Sequence, residues 1–298
     1  MRGHAGHPSI DFLKDEGVDI VRQPKEVKPL RIAVLNLMPI KITTETDLIR
    51  LLSSSTLPVE ITLIEPSSHV SKTTPAEHLA KFYMKFKELG EDQFDGLIIT
   101  GAPLERVDFE NVDYWEELKR VMDDAKKYVR STLYICWAAF AGLYYRYGIS
   151  KNLYDSKISG VFAHNADMPE SKLLSGFDDE FYVPHSRFIG FDRKEVESCG
   201  ELEIISSSDD AGIYIIGEKN GNDFYITGHS EYSPLTLDTE YHRDLGKGMN
   251  PQIPKNYYKN DNPDLAPVVK WRAHSRLLFN NWLNYYVAPQ PVCGIEPV

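Results

Sequence analysis

Residues 132–145 read TLYICWAAFAGLYY, and this stretch decides the fold. Four β-prone residues run into Cys136, and small and aromatic residues follow at helical spacing. A strand that turns directly into a helix is half of a βαβ unit, and its cysteine stands at the turn. A buried cysteine can be a small apolar filler. At a sharp strand-to-helix turn, a nucleophile elbow, it can instead be a nucleophile. The helix N-terminus then adds positive potential, which favours the thiolate. The N–H of the next residue, Trp137, can donate into an oxyanion hole. Ala138, Ala139, Ala141 and Gly142 let this helix lie close to its sheet.

The same alternation extends to both sides. Strands are expected at LRIAVLNL (30–37), VEITLI (59–64) and FDGLIITGAP (94–103), and helices at 43–55, 75–89 and 112–129. Strands alternating with helices give a mostly parallel sheet covered on both faces, which binds ligands at strand carboxyl ends. Further on, EFYVPHS, LEIISS, AGIYII and DFYITGHSEY read as shorter, hairpin-like strands, and 271–287 as a last helix. The division expected is an arm over 1–29 and a single α/β domain over 30–298.

The 298 residues carry 33 basic and 44 acidic side chains, a net charge of −11. That balance argues against nucleic acid or an anionic membrane as partner. No run of 18 apolar residues and no signal-like start appears, so a cytoplasmic protein is expected. Three scattered cysteines (Cys136, Cys199, Cys293) make no disulfide framework. No metal motif and no glycine-rich phosphate loop is present, so no bound cofactor or metal is expected.

What decides between packing and chemistry at Cys136 is TGHSEY (227–232). His229 and Glu231 lie two apart after an apolar strand, and such positions share a face on an extended segment. A thiol needs a base, and the base needs a group that holds its tautomer. Cys136, His229 and Glu231 therefore read as a catalytic triad.

Here the chain resembles the homoserine O-acyltransferase family, which includes the homoserine transsuccinylases and has a class I glutamine amidotransferase-like (flavodoxin-like) fold. The resemblance runs from residue 30 nearly to the end. It is carried by LNLMP (35–39), TPAEHL (74–79), FDGLIITGAPLE (94–105), VDYWEELK (112–119), ICWAAFAGLYYRYGI (135–149), KISGVFAH (157–164), GFDDEFYVPHSR (176–187), TGHSEY and LLFNNWLNYYV (277–287). It implies a cysteine that takes an acyl group from acyl-CoA as a thioester, with His229 as base and Glu231 as its partner. It also implies substrate contacts at Lys157, Ser186 and Arg243, and a homodimer. Read from its neighbours alone, Arg243 pairs with Glu240 or Asp244 on one helix.

Glu105 falls where the family sorts its donors, glutamate going with acetyl-CoA and glycine with succinyl-CoA. Two like charges about 4 Å apart repel by about 4 kcal/mol at an effective dielectric near 20, enough to reject the succinyl carboxylate. The function implied is acetyl transfer from acetyl-CoA to L-homoserine, serving methionine biosynthesis. Phe140 and Ser230 depart from the family's glutamine and proline, and L-serine, one methylene shorter and serving cysteine biosynthesis, is the alternative acceptor. Succinyl-CoA as donor, a thiol amidotransferase or hydrolase, and an inert binding protein are the remaining alternatives.

Overall fold

A computed structural model describes residues 8–15, 28–69, 71, 73–86 and 94–289. Cys293 lies outside these residues. Cys136 and Cys199 are free thiols. Among the described residues no helix is long and apolar enough to cross a membrane.

The first half alternates as the hydrophobic pattern requires. β1 (Leu30–Leu35), α2 (Lys41–Leu52), β2 (Val59–Glu65), α3 (Ala76–Phe82), β3 (Tyr83–Lys85), β4 (Gly96–Ile99), α4 (Trp115–Tyr128), β5 (Ser131–Ile135) and α5 (Trp137–Tyr147) follow one another. A short helix, α1 (Pro8–Asp15), precedes them. It docks on α2 through a Ser9–Thr46 hydroxyl contact of 2.8 Å and a buried Leu13. The second half holds β6 (Asn152–Ala166), β7 (Glu180–Gly190), α6 (Arg193–Ser198), β8 (Leu202–Ser208), β9 (Gly212–Glu218), β10 (Phe224–Ile226), α7 (Thr236–Gly246) and α8 (Arg272–Trp282), which runs into a π-helical turn at Leu283–Val287.

Among the described residues one ten-stranded sheet runs in the order β3-β2-β1-β4-β5-β10-β9-β8-β6-β7. From β3 to β10 neighbouring strands are parallel, and from β10 to β7 they are antiparallel. Period-two alternation splits the strand residues between two cores. Ala33, Leu35, Leu97 and Ile99 pack under α4 and α5, while Ile32, Val34, Ile98 and Leu133 pack under α2 and α8. At Gly142 a Cβ would lie 2.8 Å from the Tyr225 ring, so α5 seats on the sheet only with glycine there.

Three elements differ from expectation, the short helix α6 being one that no expected element covers. The helix expected over 75–89 stops at Phe82, and Tyr83–Lys85 pairs with Leu63–Glu65 as an edge strand. Strand pairing and the Tyr83 hydroxyl, held by Asn36 Nδ2 at 2.9 Å, override the local helical pattern; residues 87–93 lie outside the described part. The long β6 was not among the expected strands, because its first half is polar and half-exposed.

Candidate active site

Cys136 sits between β5 and α5 with φ 49° and ψ −117°, a conformation a non-glycine residue adopts only when its surroundings impose it. The imposition is visible: its N–H donates to the Ile226 carbonyl at 2.7 Å, continuing the β5–β10 pairing. Trp137 opens α5, so its N–H is one of the first-turn donors without a partner inside the helix.

Because Ile226 pairs with Ile135, the chain leaving β10 emerges beside Cys136. His229 and Glu231 meet there, but not on an extended strand as expected. β10 ends at Ile226, and residues 229–232 form a turn closed by the Tyr232 N–H on the His229 carbonyl at 3.2 Å. Within it His229 Nδ1–H donates to Glu231 Oε1 at 2.6 Å, which fixes the tautomer and leaves Nε2 for other work. The His229 N–H is tied to the Pro184 carbonyl at 2.8 Å, and its ring stacks on Tyr232 at 4.1 Å. Gly101, after β4, clears space beside both groups: a Cβ there would stand 3.3 Å from Cys136 Cβ and 3.8 Å from His229 Cε1.

Burial alone would depress the His229 pKa, yet the Cys136 sulfur and the Glu231 carboxylate hold it well above the usual value. A raised folded pKa contributes stability that is full below the unfolded value of about 6.5 and fades as pH rises through the folded one. Glu231→Gln removes one of the two groups that sustain the imidazolium. The ring titration of His229, followed by NMR, should move toward acid; an unmoved titration would mean that Glu231 does not sustain the charge.

A cavity of about 530 Å³ opens over these groups. Cys136, His229, Glu105, Lys157, Ser186 and Arg243 all line it, while Glu231 stands behind His229. The residue the sequence did not single out as functional is Glu240 on α7. Its Oε2 accepts from Ser186 Oγ and lies 3.4 Å from Lys157 Nζ, and its Oε1 accepts from the Tyr232 hydroxyl at 2.9 Å. Burial works against ionisation, but Lys157 and Ser186 outweigh it and hold the carboxyl below its usual range. In sequence Glu240 is one of several acids on a polar helix, with no signal to set it apart. Arg243 engages its neighbour Asp244 through Nε and Nη2, both at 2.8 Å, the helix pairing its sequence suggested. Glu105 Oε1 accepts from the Phe188 N–H at 2.8 Å; burial pushes its carboxyl pKa up.

Phe140 and Ser230 lie outside this cavity. Phe140 is fully buried and stacked on Phe191 at 4.2 Å, and Ser230 bonds to the Tyr214 hydroxyl at 2.6 Å. Behind Ser186, the inward residues of β7 form a polar core the sequence did not announce. The Arg187 Nε donates to His185 Nδ1 at 3.4 Å, and the His185 and His164 Nε2 atoms meet at 3.0 Å. Burial pulls both histidines down, His164 to about 3, so they stay neutral.

The model of the family described as homoserine O-succinyltransferase matches residues 4–291. The chain belongs to the homoserine O-succinyltransferase family. Among its relatives, the homoserine O-acetyltransferase of Bacteroides fragilis strain YCH46 is 51% identical, covering 98% of this chain and 97% of the relative. That of Bacteroides thetaiotaomicron is 52% identical over the same shares. That of Acetivibrio thermocellus is 51% identical, covering 94% and 93%. This member of the homoserine O-succinyltransferase family also shares its fold with solved glutamine amidotransferases. One from Thermotoga maritima superposes with a TM-score of 0.59 at 11% identity, covering 88% of this chain and all of that one. One from Methylobacillus flagellatus gives 0.52 at 12% identity, covering 87% and 95%. The fold is thus of the class I glutamine amidotransferase type, a mostly parallel sheet flanked by helices.

Proposed function

We propose that this acyltransferase moves an acetyl group from acetyl-CoA to the side-chain hydroxyl of L-homoserine through a thioester on Cys136. The observation that carries the reading is the His229–Glu231 pair beside Cys136 in a cavity whose opposite wall is built for an amino acid. His229 takes the thiol proton. The Cys136 sulfur attacks the acetyl carbonyl, the Trp137 N–H donates to the oxyanion, and CoA leaves as its thiol with the proton from His229. The acceptor hydroxyl then enters, gives its proton to His229, and its oxygen attacks the thioester carbonyl. The C–S bond breaks and the proton returns to Cys136. Two moderate barriers replace one large one.

An amino-acid acceptor is a zwitterion. Glu240 supplies a carboxylate for its ammonium, and Arg243, which spends part of its five-donor fork on Asp244, supplies the cation for its carboxylate. Homoserine rather than serine fits because Phe140 and Ser230, the two residues that raised serine, take no part in the cavity wall. The relatives named as acetyltransferases support acetyl as the acyl group, and so does the Glu105 carboxylate in the cavity.

The test is CoA release with homoserine and with serine, each against acetyl-CoA and succinyl-CoA. Acetyl-CoA with homoserine should be fastest, and Glu105→Gly should raise succinyl over acetyl use by tenfold or more. Faster turnover with serine, or a donor preference untouched by Glu105→Gly, would overturn the acceptor or the donor assignment respectively.

A further inference from the structure

A second cavity, of about 450 Å³, adjoins the first between the ends of β1 and β4 and the segment leading into α4. The two share Met38, Pro39, Ala102 and Pro103, and Ala102 directly follows Gly101, which abuts Cys136. The cavities differ in chemistry. The far end of the first carries Lys157, Glu240, Arg243 and Asp244. The second is walled by Leu37, Pro66, Leu104 and Val112. Its charged groups are few: Lys41, whose ammonium donates to the Asn36 carbonyl, and His69 paired with Asp113 at 2.7 Å.

We propose that this second cavity holds the pantetheine arm of the acyl-CoA donor, an inference that rests on acyl transfer from a CoA thioester to Cys136. The arm is a neutral chain of short alkyl stretches and two amides, ending at the sulfur that carries the acyl group. An apolar cleft with a few polar groups suits such a chain. A zwitterionic acceptor would lose its hydration there, and the two groups that could answer its charges, Lys41 and Asp113, are already engaged by the Asn36 carbonyl and His69, so it is directed to the charged end. The shared Ala102–Pro103 edge then delivers the thioester carbonyl to the sulfur from the apolar side, and the acceptor hydroxyl arrives from the Glu240 side.

Filling the second cavity separates donors by length. Asn111 is exposed at its rim and Leu104 forms its wall, so Asn111→Trp and Leu104→Trp each plug it from a different side. Three acetyl thioesters are compared with homoserine saturating: acetyl-CoA, S-acetylpantetheine and S-acetyl-N-acetylcysteamine, which keeps only the first amide of the arm. In each variant the kcat/KM of both long donors should fall at least tenfold relative to the short one. A ratio unchanged from wild type overturns the proposal, and so does a loss confined to acetyl-CoA, which would place the nucleotide and not the arm in the cavity. Wild-type protein that leaves Cys136 unacetylated by all three donors overturns the acyl-transfer reading, and this one with it.

Discussion

Cys136→Ala should leave no acyl transfer above background, a loss of at least about 10⁴-fold, because the thioester has no other carrier in the cavity. The fold should survive. Cys136 is buried at φ 49°, and alanine meets the same backbone cost there as cysteine, so only the sulfur's contacts are lost. Removing so small a group costs on the order of 1 kcal/mol. Three measurements check this: CoA release, the acetyl adduct seen by mass spectrometry on wild type and absent from the variant, and the thermal midpoint. Turnover near wild type would end the covalent mechanism. A small surviving rate without an adduct would point to direct attack of the acceptor on bound donor.

The largest expected effect on stability lies at Gly160, within β6. Its φ is +145°, and a Cβ there would stand 2.3 Å from the carbonyl oxygen and 2.6 Å from the nitrogen of Lys255. Both clashing atoms are backbone, so no rotamer change relieves them. They are also held in place: the Lys255 N–H donates to the Ser159 carbonyl at 2.9 Å, and its carbonyl accepts from the Val161 N–H at 2.8 Å. Gly160→Ala therefore either strains β6 or expels the Lys255 segment, at about 3 kcal/mol or more. The thermal midpoint should drop by several degrees. A midpoint within a degree of wild type would mean that the Lys255 segment moves aside freely. Lys157 lies three residues away on the same strand, so acceptor binding should weaken with the fold.

The parts of the site readable in the sequence are those that depend on local pattern. The apolar run into Cys136 and the small-residue helix after it specify the turn by themselves, since both the strand and the helix are buried. His-x-Glu was legible as a pair, but the way its two members meet was not. The contact is made in a turn, and that turn reaches Cys136 through the pairing of β10 with β5, a neighbour relation no local pattern encodes. Glu240 was invisible for a related reason. It faces inward only because Leu237, on the same helix, packs with Val161, Tyr232, Tyr257, Tyr258 and Trp271 in a small third core. Arg187 carries no signal in the sequence; its burial follows from its place on a strand that is covered on the face it shares with His185.

β10 is the joint of the molecule. With only three residues it pairs parallel to β5 on one side and antiparallel to β9 on the other. Cys136 belongs to the parallel half, whereas Lys157 and Ser186 belong to β6 and β7 of the antiparallel half. The two halves are nonetheless tied at the histidine: the Pro184 carbonyl of β7 holds the His229 N–H, and Glu240 of α7 holds Tyr232, whose ring stacks on His229. Substitutions along β7 and α7 therefore reach the imidazole as well as the charged wall of the cavity. The entry of β10 is fixed by Asp223, whose Oδ1 accepts from the Thr132 N–H at 3.0 Å at the start of β5. The alignment of the parallel and antiparallel halves thus rests on a carboxylate that lies outside the cavity it helps to shape.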